Sequence, residues 1–149
     1  MDRLRRTVTG LSLLVLIEYV LGGFVTFDDP TNAGFSLQSL SISYPAVLPL
    51  IHRVFAVVLI LSWILGSFYL KGTRAFRMSH ITIGLMFIQA IIGAMIPATL
   101  SDPSVNPYII IAHFSFSGFI LIGAGFTAYF GWAAGSAAAG RVRKPQGML

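Results

Sequence analysis

Residues 46–70 read AVLPLIHRVFAVVLILSWILGSFYL. Apart from His52 and Arg53 this stretch carries no ionisable residue between Ala46 and Phe68, and it exceeds the roughly 20 apolar residues that a helix needs to cross a bilayer core. A run of this length with an ionisable pair near its start predicts a transmembrane helix in which the pair has a task, because charge inside a membrane is costly. Three further stretches match it in length and polarity: Thr7 to Phe27, Met78 to Leu100 and Tyr108 to Trp132. The whole chain agrees, with 56% hydrophobic and 10% charged residues among 149 and a mean hydropathy of +0.82. That balance excludes an ordinary soluble domain. The fold class expected is an all-α membrane protein, a four-transmembrane-helix bundle over residues 1–134 with a basic, loose tail over 135–149.

Charge placement sets the expected topology. Arg3, Arg5 and Arg6 precede the first span, Lys71, Arg74 and Arg77 lie between the second and third, and Arg141, Arg143 and Lys144 follow the fourth. The other two connections hold Asp28, Asp29 and Asp102 and no Lys or Arg. By the positive-inside rule both termini are cytoplasmic. The net charge of +5 is thus a topology signal rather than a nucleic-acid footprint. Nine of the ten basic residues follow the rule, and the tenth is Arg53. With no cysteine in the chain, disulfides, thiolate metal sites and covalently attached c-type heme are excluded. In the first outer loop, Asp28 and Asp29 are candidates for a cation site or for an ordinary solvated loop start.

A repeat organises the spans. Glu18 lies four residues before Gly22 in the first, and Gln89 lies four before Gly93 in the third. Each is followed by a loop and a span with a histidine near its start: LIHRVF (50–55) and IIAHFSF (110–116). The expected architecture is two tandem helix pairs of the same orientation. At 1.5 Å per residue His52 and His113 then lie at one depth, about 8 to 10 Å below the outer boundary, whereas His80 starts a span at the cytoplasmic face. Two level histidines on helices that face one another suit the two axial positions of a heme iron. Zinc would want three or four ligands, and Met86 and Met95, the methionines within spans, read as packing residues.

Arg53 would then pair with heme propionates or snorkel to the headgroups. The plainer alternative is that His52 and Arg53 hydrogen-bond across the bundle or anchor its interface. Glu18, near the middle of its span, has two readings of equal standing: an acid-base group facing a substrate, or a helix-to-helix hydrogen bond matched by Gln89. Gly22, Gly23, Gly84, Gly93 and Gly118 read as positions of close approach, to another helix or to a flat ring.

LIEYVLGGFVTF (16–27) followed by LIHRVF, then FIQAIIGAMI (87–96) followed by AHFSFSGFILI (112–122), resembles one four-helix half of the heme A synthase family. The resemblance spans about residues 7 to 132. It implies oxidation of a heme O methyl group to the formyl of heme A, with His52 and His113 as axial ligands, Arg53 near the propionates, and heme b, heme O or heme A as the bound groups. It also implies the plasma membrane of a prokaryote, and heme O synthase or a terminal oxidase as partners. Where the family's reacting half has a glutamate three residues before the first histidine, this chain has Pro49. Glu18 is then the candidate catalytic carboxylate, and the single histidine pair implies a homo-oligomer or a second heme-binding subunit. The alternative function is a non-catalytic b-type heme subunit serving electron transfer or respiratory-complex assembly.

Overall fold

A computed structural model describes residues 3–28, 47–99 and 101–142. Among these residues four helices form: α1 (Arg3–Asp28), α2 (Val47–Phe68), α3 (Arg74–Met95) and α4 (Asn106–Val142), with a short 3₁₀ turn, Pro97–Thr99, between α3 and α4. The described residues form no strand. All four helices are long and apolar enough to cross a membrane, which makes the chain an integral membrane protein. Loop 29–46, the side chain of Asp28 and tail residues 143–149 lie outside the description, and with them the expected cation site. The tail itself starts differently from expectation, because α4 continues to Val142. The segment after Gly135 is alanine-rich and meets no proline before Pro145, so nothing in it breaks a helix.

The helices form a closed ring in which each packs on its two chain or ring neighbours, α3 on α4 most extensively and α2 on α3 least. At one end Val8 of α1, Leu70 after α2, Ala75 of α3 and Ala128 of α4 pack together. In the middle Leu11, Val15, Leu59, Trp63, Met86, Ile120 and Ala124 form the main core. Large apolar side chains elsewhere point outward, among them Phe24, Leu65, Phe68, Ile91 and Tyr129. In water such exposure would be ruinous, but lipid tails are as apolar as these residues, so burial alone does not hold the ring together.

Close backbone approach and hydrogen bonds between helices do. The Trp63 indole donates to the Leu11 carbonyl at 3.2 Å, and the Ser12 hydroxyl donates to the Ala124 carbonyl at 3.1 Å. Gly66 lies under Leu11, Gly123 under Thr82 and Gly131 under Val8, each so tightly that a Cβ would come within 2.7 Å of the facing side chain. These three glycines are therefore the helix-to-helix contact points. Gly23, Gly84 and Gly118 have no neighbouring atom within 4 Å of an added Cβ, so they are not helix-to-helix contact points. Their apolar context resembles that of the true contacts, and only the rotation of each helix separates the two groups.

The connections are built locally. Between α2 and α3 the chain reverses through Gly72, at φ +82, a conformation that side-chain-bearing residues rarely take. The Thr73 hydroxyl donates to the Leu70 carbonyl at 2.7 Å and so ties the turn to the fully buried Leu70. Between α3 and α4 the Asn106 amide donates to the Ile96 carbonyl and the Thr99 hydroxyl, while Asp102 accepts from the Ser104 N–H at 2.9 Å and its hydroxyl at 2.6 Å. Those two bonds hold the exposed Asp102 carboxyl below its ordinary pKa.

Candidate functional site

Between the main core and the end of the bundle away from Val8 lies a cavity of about 260 Å³, lined from all four helices. Val15, Leu59, Met86 and Ile120 belong to both core and lining and form its floor. Above them the walls are mostly small: Gly22 and Gly23 on α1, Ala56 on α2, Ala90, Gly93 and Ala94 on α3. Polar atoms are few and come from Glu18, Tyr19, His52, Arg53, Gln89, His113 and Ser117. An apolar chamber with a few polar groups placed in it is what small-molecule sites look like.

The two histidines stand in matching sockets. His52, in the second turn of α2, lies across Gly22 of α1, where a Cβ would sit 3.0 Å from its Cε1. His113, in the second turn of α4, lies across Gly93 of α3, where a Cβ would sit 2.8 Å from its Cε1. At Gly93 an added Cβ would force the ring to shift, and at Gly22 it would press on the ring, so glycine lets both imidazoles lie close against the preceding helix. Of the five glycines expected to make close approaches, these two do so, and what they approach is a flat ring rather than a backbone.

One turn before each glycine is a polar residue, and here the sockets diverge. Glu18 Oε1 is 2.9 Å from His52 Nδ1, with both side chains mostly buried. Gln89 turns elsewhere: its amide donates to the Ser117 hydroxyl, which in turn donates to the His113 carbonyl at 3.1 Å. His52 Nδ1 and His113 Nδ1, with Glu18 Oε2 and Gln89 Oε1, are all buried without a hydrogen bond of full geometry, and what sets His52 apart is the carboxylate oxygen lying beside it. Glu18 thus bridges α1 and α2 through His52 and also lines the cavity.

The remaining expectations sort cleanly. Arg53 lines the cavity beside His52. His80 does not: it is exposed, its Nδ1 is 2.9 Å from the Phe76 carbonyl on its own helix, and its ring stands 4.3 Å from that of Phe76. Met86 is a core residue, whereas Met95 is exposed on the outer surface of the bundle. Pro49 is buried in the first turn of α2, where its missing N–H costs no helical bond. Ser117 is the site residue that the sequence left unmarked. Its only signal is a position four residues after His113, which puts it on the same face of α4.

No cluster of three or more His, Asp or Glu side chains able to hold a bare metal ion occurs among the described residues. What the site defines is a class: a four-helix membrane protein with an intramembrane cavity that two histidines on non-adjacent helices enter. In comparisons with known proteins, no family model, no curated protein and no solved structure matches the chain.

Proposed function

We propose that this protein binds heme within the bilayer between His52 and His113, and that it acts as a heme A synthase-type oxidoreductase on heme O, as an oligomer. The observation that carries the heme reading is the pair of glycine-floored sockets, Gly22 under His52 and Gly93 under His113, opening on one apolar cavity. The donor set suits the group. With Nδ1 of His52 engaged by Glu18, its Nε2 is left as the ligating nitrogen, the arrangement by which carboxylates orient metal-bound imidazole. A heme held there supplies an iron whose redox state can change in place.

The repeat supports two tandem pairs, α1–α2 and α3–α4, related by an axis along the membrane normal, and the basic residues support cytoplasmic termini; the family resemblance adds a prokaryotic plasma membrane. Arg53 would offer its guanidinium to a propionate. Oxidation of a heme methyl to a formyl adds the oxygen of water and releases four protons and four electrons, the electrons to an acceptor outside the chain. Glu18 would take protons there; it is the one acidic residue on the lining among the described residues, and its buried Oε2, without a hydrogen-bond partner, supports that role.

A second reading has its own support. Glu18 is engaged with a ligand histidine and Pro49 stands where a reacting carboxylate is expected, which suits a b-type heme subunit of a respiratory assembly. The experiment that separates the two is a pyridine hemochrome spectrum of the purified protein, produced with and without heme O, for wild type and the His52→Ala, His113→Ala double variant. Heme A formed from heme O by wild type alone supports the enzyme. Heme b alone, lost in the double variant, supports the cytochrome, and a colourless wild type under adequate heme supply overturns both.

A further inference from the structure

The cavity walls differ in how they are closed. Around α4 the lining residues Phe114, Ser117 and Ile120 lie inside the ring, under the closely packed α3–α4 and α1–α4 contacts. Between α2 and α3, the least packed neighbours, lining residues face the outer surface as well: Val57 on α2 is 58% exposed, and Ala90 and Ala94 on α3 are exposed. Ala90 and Ala94 are one turn apart, so they form a stripe of minimal side chain along α3 at this gap. On α1 the exposed lining residue is Tyr19, a large aromatic side chain where α3 has alanine. Arg53 stands one turn before Val57 on the same face of α2.

We propose that the cavity opens sideways into the bilayer between α2 and α3, past Val57, Ala90 and Ala94, and that this gap holds the isoprenoid chain of a tailed heme. The inference rests on the heme reading above and adds the part of the ligand that the histidines do not touch. A ring fixed between His52 and His113 has its acidic edge drawn toward Arg53. A long apolar chain on that ring must leave the cavity, and an exit into water would expose it. The α2–α3 gap leads instead into lipid, where the chain loses nothing, and its two alanines give it room. The same gap serves as the entry for a ligand that partitions into the membrane.

The test compares tailed and tailless ligands in wild type and in variants that fill the gap. Protein in lipid nanodiscs is titrated with heme O and with heme b, and binding is read from the Soret band. Ala90→Phe fills the gap from α3 and Val57→Phe fills it from α2, so that one of them serves if the other does not fold. Ile91→Phe, on the exposed face of α3 and off the cavity lining, is the control. The expected result is that the gap variants bind heme O about tenfold or more weakly than wild type. Heme b, which has no chain to pass through the gap, should lose less affinity than heme O in the gap variants, and Ile91→Phe should bind both hemes within about twofold of wild type. Equal binding of heme O by wild type and both gap variants overturns the proposal, as does an equal loss of both hemes in a folded gap variant. A wild type that binds neither heme overturns the heme reading itself, and this inference with it.

Discussion

The two histidine sockets share a floor and differ in their backing. His52 and His113 each lie over a glycine of the preceding helix, but a carboxylate contacts His52 while the corresponding amide, Gln89, is spent on Ser117. On the proposed heme reading, equal shape with unequal chemistry would make the two ligands unequal. A carboxylate at Nδ1 raises the basicity of the other ring nitrogen, and an imidazole without that partner is a weaker donor. The two glycine floors would then fix where a planar group is held, while Glu18 would set how strongly one face is gripped.

Removing the ligands is the strongest way to break this comparison. His52→Ala and His113→Ala should each convert a six-coordinate low-spin heme to a five-coordinate or lost one, seen in the Soret and visible bands. His52→Ala should lower heme affinity more, and equal losses would show that Glu18 does not distinguish the faces. Next come the floors. Gly93→Ala places a Cβ 2.8 Å from the His113 ring and Gly22→Ala places one 3.0 Å from the His52 ring. Overpacking of this kind costs about 1–3 kcal/mol, and the larger loss of thermal stability and heme affinity should fall on Gly93→Ala.

Substitution of the backing residues sharpens the comparison further. Glu18→Gln should weaken heme binding about tenfold, the lower range for losing an outer partner of a metal ligand, and raise the midpoint potential read by redox titration. Gln89→Leu should leave that potential in place and cost the bundle about 0.6 kcal/mol in unfolding from detergent or lipid, a typical value for a hydrogen bond between membrane helices. The smallest effect lies outside both sockets, in the turn before α4. Because its hydrogen bonds hold the Asp102 pKa low, their stabilisation is complete above the carboxyl's unfolded pKa and is lost as pH falls through the lowered folded value. The protection of the Ser104 amide, its exchange relative to the intrinsic rate at each pH, should therefore fall in acid with no change in heme binding, and Asp102→Ala should abolish that pH dependence.

Several of these features could be read from the chain. Span lengths follow from apolar runs, so four helices were legible, with ends shifted by a few residues where helices continue into basic or alanine-rich flanks. His52, His113, Arg53 and Glu18 stood out because each is costly in a bilayer, and all four line one cavity. The glycines were legible only in part. Gly22 and Gly93 are marked by Glu18 and Gln89 four places earlier, but that mark does not say what each glycine meets, which depends on how its helix is turned. Ser117 was invisible for a related reason, since a hydroxyl in a helix ordinarily bonds to its own backbone. The partner that makes it informative, Gln89, lies on another helix.

By itself the sequence determined the solvent, the helix count and the few residues that pay to be in a membrane, because transfer free energy depends on residue type and run length alone. It did not determine which interfaces close and which stay open, nor that Glu18 reaches His52 while Gln89 turns to Ser117. Those were decided by helix rotation and close approach, which sum contacts over all four helices at once and leave no mark in any one of them.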